Sequence, residues 1–392
     1  MRIFYASAST PNAEFRSDIW RNNLYLPLVD LGHEVVEFRY DLQETFQHVD
    51  SFNSRQNSFI KKNRPRVTKE LLRQIRVAHR DRPVDLFFSY FYDACVLPEA
   101  IEEIRSMGIT TVNWYCNGSY QLHLVREISP KYDWCLVPEK FRIKDYISMG
   151  ARPIYCQEGA NPNIYRPYPL PLDYDVTFVG QAYGDRSFYI KELLDNGIDV
   201  RVWGPGWRKS ADGVPEQKQG AIFRDLLDGA RFLATPEGRK AAGNRARRLL
   251  GRAPEPGRRV EGIPDKAVGG VLSDDEMIRL FSRSRINLGF STCGNTGISG
   301  EKIRQVRLRD FEIPMSRGFY MVEYLEELEE FYESGKEIVC FVSPEDLEEK
   351  IRYYLRHEAE RERIRKAGFE RCRRDHSWHK RFIDAFAVMG LN

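Results

Sequence analysis

The sequence predicts an α/β protein of two domains, each a parallel sheet with helices on both faces, the two facing one another across a cleft. Three observations carry this expectation. Short apolar runs alternate with amphipathic helical stretches along nearly the whole chain, the rhythm that parallel sheets produce. The 392 residues exceed the size at which one hydrophobic core stops growing, so two cores of roughly 150 to 200 residues are expected. A Pro- and Asn-rich stretch, "EGANPNIYRPYP" at 158–169, breaks the rhythm, as a crossing between domains does.

The first unit, 1–165, opens with "RIFYA" at 2–6, which reads as a buried strand. In the following "DIWRNNLYLPLVDLGHEVVEF", Ile19, Leu24, Leu28 and Leu31 recur near helical spacing, Gly32 ends the helix and "EVVEF" begins a strand. The strand "PVDLFFSYF", the helix "PEAIEEIRSMG", the strands "ITTVNWY" and "YDWCLVP" and a helix ending at Gly150 continue the pattern. The second unit, 166–375, repeats it with "YDVTFVG", a helix around "FYIKELLDNG" and "IDVRVWGPGW". Both strands end in glycine loops, at Gly180 and Gly204, on the edge where open α/β sheets bind ligands. From about 208 to 262 the chain turns rich in Arg, Gly and Pro and reads as an insertion with a short basic helix. Ser273 and the acids after it start a further helix. Then come the strand "INLGF", the loop "STCGNTGISG", a helix bearing Glu312, the strands "GFYMVEY" and "EIVCFV", and a helix with Ser343 as N-cap, Pro344 at its first position and Asp346 as box partner. A last helix, within 376–392, is expected to pack back on the first domain.

Composition narrows the function. With 60 basic and 57 acidic residues the net charge is +3, which gives no general affinity for nucleic acid; any basic site is local. No apolar run reaches the roughly 18 residues of a membrane span, and the opening is too short in apolar residues for a signal peptide, so a cytoplasmic protein is expected. The seven cysteines are scattered and read as reduced core residues. His376 and His379 lack a third ligand nearby, and the Asp-x-Asp of "DYDVT" at 173–175 precedes a strand instead of following one; no metal and no cofactor are expected. Loop motifs for P-loop hydrolysis, a serine hydrolase, a zinc protease or a dinucleotide oxidoreductase are missing from the sequence.

A local basic site does exist. The loop "GNTGISG", with Gly297 and Gly300, precedes a stretch carrying Lys302, Arg304, Arg307 and Arg309. That stretch reads as the first turns of a helix, so that loop amides, helix dipole and side-chain cations together suit a diphosphate. At helical spacing the four cations do not share one face; Lys302 and Arg309 are the two expected to point into the cleft. Arg186 adds a cation at the same sheet edge. Glu312, in the apolar context "FEIPM", needs partners if buried. It either pairs with Arg309 one turn back or accepts hydrogen bonds from sugar hydroxyls.

"RDFEIPMSRGFYMVEY" and the chain onward through "DHSWHKR", with "EGANPNIYRPY" and "RNNLYLPLVDLGHEVVEF", resemble the CgeB-like glycosyltransferases, relatives of the family 4 sugar transferases. The resemblance implies the GT-B fold of two Rossmann-like domains and metal-independent transfer of a sugar from a nucleotide diphosphate sugar to a glycan, lipid-linked or protein acceptor, with retention. It assigns Glu312 to the ribose, and Arg186, Lys302 and Arg309 to the diphosphate and the leaving group. It places the acceptor on the N-terminal domain, where Asn117 and His123 are candidates. One departure stands out: family 4 enzymes carry two Glu separated by seven residues, but the position eight before Glu312 is Arg304, and Glu301 is the nearest substitute. The rivals are a sugar-nucleotide epimerase on the same fold and a non-catalytic nucleotide-sugar-binding protein. The basic stretch 239–259 is a candidate for peripheral contact with a membrane.

Overall fold

In a computed structural model the described residues are 1–7, 17–208, 239, 262–294 and 302–391. Gly297, Gly300 and Glu301 lie outside them, as does the 208–262 insertion, including 239–259, apart from Arg208, Arg239 and Gly262.

The chain folds around two wholly parallel sheets. The first holds β1 (Arg2–Ala6), β2 (Glu34–Glu37), β3 (Leu86–Ser89), β4 (Thr110–Trp114), β5 (Trp134–Val137) and β6 (Pro153–Tyr155) in the order β2-β1-β3-β4-β5-β6. The second holds β7 (Tyr174–Val179), β8 (Val200–Trp203), β9 (Ser284–Gly289), β10 (Tyr320–Glu323) and β11 (Val339–Phe341) in the order β11-β10-β9-β7-β8. Their strands read as continuous apolar runs because helices cover both faces. One core surrounds the first sheet, and two flank the second.

The helix after β1 contains a π-turn at Arg21–Tyr25 before Leu26–Asp30. Pro27 has no N–H to return to the Asn23 carbonyl, and the wider turn absorbs that missing bond. The longest helix among the described residues, Ser54–Asp81, was not among the expected elements. Its side chains are mostly polar or charged, so the buried stripe of Ile60, Val67, Leu71 and Ile75 is thin. Ser273 caps its helix in a reciprocal box with Glu276. Ser343 also caps, but Asp346 reaches back to the Val342 N–H (2.9 Å) and not to Ser343. All seven cysteines are buried and free. Asp173 and Asp175 are held by Arg283 and Arg285. Among the described residues no helix is long and apolar enough to cross a membrane, and no group of three or more His, Cys, Asp or Glu could hold a metal.

The last helix, Trp378–Met389, returns to the first sheet: Trp378 packs edge-on against Trp114 at 5.1 Å and Phe382 against Phe88 at 5.6 Å. Polar bonds tie the halves together as well. Asp274, at the first turn of its helix, accepts from Ser17 Oγ (2.6 Å), the Asp18 N–H (3.0 Å) and Asn22 Nδ2 (2.7 Å).

Candidate active site

A cavity of about 550 Å³ opens between the two sheets, lined by both halves. Its floor on the C-terminal side is made by the carboxyl ends of β7 and β8. There the backbone of Gly204, at φ +129°, passes so close to Gly180 that an added Cβ would sit 2.4 Å from the Gly180 carbonyl oxygen. Only glycine allows that approach, and it keeps both strand ends open to the cavity.

Arg186 stands at the first position of the helix Arg186–Asp195 and is 5 % exposed. Its guanidinium lies 3.8 Å over the Tyr183 ring and donates to the Gln181 carbonyl (3.1 Å). Burial pulls it down to about 10, with Tyr183 opposing.

The basic stretch after the glycine loop differs from expectation. Its helix spans only Arg309–Met315, so Lys302 is not in a first helical turn. The chain before it is extended: Thr292 and Arg304 form an antiparallel bridge, with the Cys293 N–H bonded to the Ile303 carbonyl (2.8 Å) and the Gln305 N–H to the Ser291 carbonyl (3.1 Å). Extended chain alternates with period two. Lys302 and Arg304 therefore point one way, to Glu323 at the end of β10 (2.7 and 3.1 Å), with Lys302 also meeting Asp185 (3.1 Å). Gln305, Arg307 and Arg309 line the cavity; Lys302 and Arg304 do not. Arg307, which donates to the Thr292 carbonyl at 2.5 Å, is the cation that helical spacing passed over.

Arg309 pairs with Glu312, and Asn23 Nδ2 approaches the same carboxylate at 3.4 Å from the other half of the chain. Glu312 is fully buried and does not line the cavity. Of its two open readings, this arrangement is the pairing with Arg309.

On the N-terminal side, Asn117 lines the cavity and His123 does not; His123 lies in the turn Leu122–Val125 with its ring 5.8 Å from Phe52. Two carboxyl groups of the N-terminal half that sequence reasoning missed also line it, Glu158 and Asp18, and a third, Asp274, comes from the C-terminal half. Burial pushes Glu158 up to about 8, against the pull of Arg307. Burial likewise raises the half-buried Asp18 to about 6, against Arg21. Glu158 opens the crossing segment "EGANPNIYRPY", and nothing local in that loop marks one acid as buried. The remaining N-terminal wall is aromatic and amide: Trp20, Phe46, Tyr90 and Tyr92 with Gln43 and Gln47.

Cations beside open strand ends, facing a polar and aromatic wall across a cleft, can hold an anionic donor against a second substrate. Known structures share the architecture. Sucrose-phosphate synthase from Thermosynechococcus elongatus aligns with a TM-score of 0.59 and 12% identity over 99% of this chain and 98% of that one. HepE from Anabaena, solved with UDP and glucose, gives 0.56 and 12% over 99% and 100%. AviGT4, a glycosyltransferase involved in avilamycin A biosynthesis, gives 0.51 and 12% over 99% and 97%. Such likenesses establish the two-sheet GT-B fold. No curated protein matches the sequence. The family model described as glycosyl transferase-like, however, matches residues 186–387, more than half of the chain. The chain therefore belongs to the glycosyl transferase-like family, and it is a glycosyltransferase of GT-B fold.

Proposed function

We propose that the chain transfers a sugar from a nucleotide diphosphate sugar to a glycan-type acceptor without a metal, and that its finer kinship is with the CgeB-like enzymes. The observation that carries this reading is the convergence of Arg186, Arg307 and Arg309 on one cavity beside the glycine-lined ends of β7 and β8. Guanidinium groups match phosphate oxygens in fork geometry. Held in place before reaction, they offset the charge that grows on the departing diphosphate. Lys302 and Arg304, paired with Glu323, hold the chain that presents Arg307. Glu312 acts through Arg309, fixing its guanidinium from behind. HepE was solved with UDP and glucose, which supports a nucleotide sugar as donor here.

Calorimetric titration of UDP, GDP, ADP and dTDP, followed by an assay of nucleotide release from the matching sugar donor, tests the reading. One preferred nucleotide and donor turnover are expected; no binding by any of the four sinks it. The cavity carboxyls favour one second reading, an epimerase, because Glu158 and Asp18 could move protons. Conversion of the donor into an epimeric sugar nucleotide in the absence of acceptor would favour that reading over transfer.

A further inference from the structure

The cavity is electrically lopsided. Among the described residues, every Arg, Lys or His that lines it comes from the C-terminal half, three guanidiniums beside the single carboxylate Asp274; the N-terminal half contributes Asp18, the protonated Glu158 and no cation. The wall opposite the guanidiniums is built from rings. Trp20 and Tyr90 lie with centroids 4.8 Å apart, and Phe46 meets Tyr90 at 5.7 Å and Tyr92 at 5.4 Å. Tyr90 and Tyr92 are buried behind, whereas Trp20 and Phe46 remain half-exposed and line the space.

We propose that this wall is the acceptor subsite and that its ligand is an uncharged sugar ring, seated with its C–H face on Trp20 and Phe46. The inference rests on the glycosyl-transfer reading above. A pyranose has one face of C–H bonds and a rim of hydroxyls. Aromatic rings cover such a face without requiring charge, and the amides of Gln43, Gln47 and Asn117 can each both donate to and accept from hydroxyls. An anionic acceptor is disfavoured at this subsite. It would bring its charge toward Asp18 and away from the guanidiniums, which the donor diphosphate already occupies, and juxtaposed like charges oppose binding. A phosphorylated sugar is thereby rejected where a neutral one is taken.

The test uses 4-nitrophenyl glycosides of glucose, galactose and N-acetylglucosamine, and the 6-phosphates of the same compounds, titrated calorimetrically into the protein saturated with its preferred nucleotide. Trp20→Ala, Phe46→Ala and the ring-preserving Trp20→Phe are compared with wild type, and nucleotide affinity is measured separately on each. At least one neutral glycoside is expected to bind, at least ten-fold more tightly than its phosphate. Each alanine variant should weaken it about ten-fold or more with nucleotide affinity unchanged, and Trp20→Phe should recover most of the loss. Equal or tighter binding of the phosphates overturns the proposal. So does undiminished glycoside binding in both alanine variants, or the absence of any glycoside binding to a protein that binds nucleotide. Failure to bind nucleotide at all is the different outcome that removes the donor reading, and the subsite with it.

Discussion

Replacing Arg307 separates the observed geometry from the one helical spacing suggests. Arg307 lines the cavity, whereas Lys302, five residues earlier in the same extended run, is spent on Glu323 and Asp185. A charge-assisted hydrogen bond contributes about 1.5–3 kcal/mol, so Arg307→Met should weaken nucleotide diphosphate binding by roughly 10- to 150-fold. Arg307→Lys keeps the charge but loses the fork, and about ten-fold is expected. Methionine fills much of the same space among Tyr183, Tyr120 and Cys293, and the main structural loss is the charge-assisted bond to the Thr292 carbonyl, about 1.5–3 kcal/mol. The fold should therefore survive for the comparison. Lys302→Met breaks its pairs but leaves Arg304 on Glu323; it should lower the melting temperature and change nucleotide affinity by less than about three-fold, within roughly 0.7 kcal/mol. Calorimetry with the preferred nucleotide on the three variants decides. Equal losses for Lys302→Met and Arg307→Met, or no loss for the latter, would refute the period-two assignment of this segment.

Three further outcomes are expected. Glu158 in the folded protein holds its proton up to about 8, against an ordinary 4.5; the native state then binds more protons than the unfolded one between those values, so this group costs stability as pH rises through the window. Glu158→Gln should match wild type near pH 4 and exceed it increasingly up to about pH 8, by at most roughly 4–5 kcal/mol; melting curves at pH 4.5, 6.5 and 8.5 that show a constant difference would mean the carboxylate is ionised in the native state. Gly204→Ala meets both the Gly180 carbonyl and a φ of +129°, and should cost about 3 kcal/mol or more, backbone strain alone supplying about 1–3; Gly270→Ala, with nothing within 4 Å, should stay within about 0.5 kcal/mol in the same denaturation assay. Glu312→Gln strands Arg309 without its charge partner and should destabilise by about 3–5 kcal/mol; by contrast, a large loss of nucleotide affinity with unchanged melting would assign the carboxylate to the ligand itself.

The strands were legible because their cause is local. Helices bury both faces of each sheet, and the resulting apolar runs between glycines and prolines mark "RIFYA" or "YDVTFV" without knowledge of neighbours. The glycines at 180 and 204 were legible for the same reason, as punctuation at strand ends. The segment 302–309 was not. "KIRQVRLR" carries no Pro, Gly or cap to choose between periods of 3.6 and 2, and what chooses is a bridge to 291–293 across the glycine loop. The wrong period exchanged Lys302 for Arg307. Glu158 and Asp18 were invisible on other grounds: a loop acid shows no burial in its own sequence, and the groups that desolvate each of them arrive from distant parts of the chain.

The same distance explains why donor wall, acceptor wall and domain contact are one construction. The segment that carries Trp20 to the cavity is anchored across the cleft by Asp274, which accepts from Ser17, Asp18 and Asn22. One π-turn further, Asn23 reaches the Glu312 that braces Arg309. The aromatic platform is thus positioned by a carboxylate of the C-terminal half, and a cavity cation is positioned in part by an amide of the N-terminal half. Neither wall keeps its geometry if the halves separate. A ligand that bridges the guanidiniums and the aromatic rings stabilises the closed arrangement by its differential affinity for it. On the proposed transfer reading, closure would exclude water at the place where a sugar would otherwise be lost to hydrolysis. On that account, Asp274→Asn, at the cavity edge and weakening the bonds that anchor the Trp20 segment by removing their charge, should raise donor hydrolysis relative to transfer by more than it changes nucleotide affinity. An unchanged ratio of hydrolysis to transfer would show that the anchor holds the fold and does not govern the cleft.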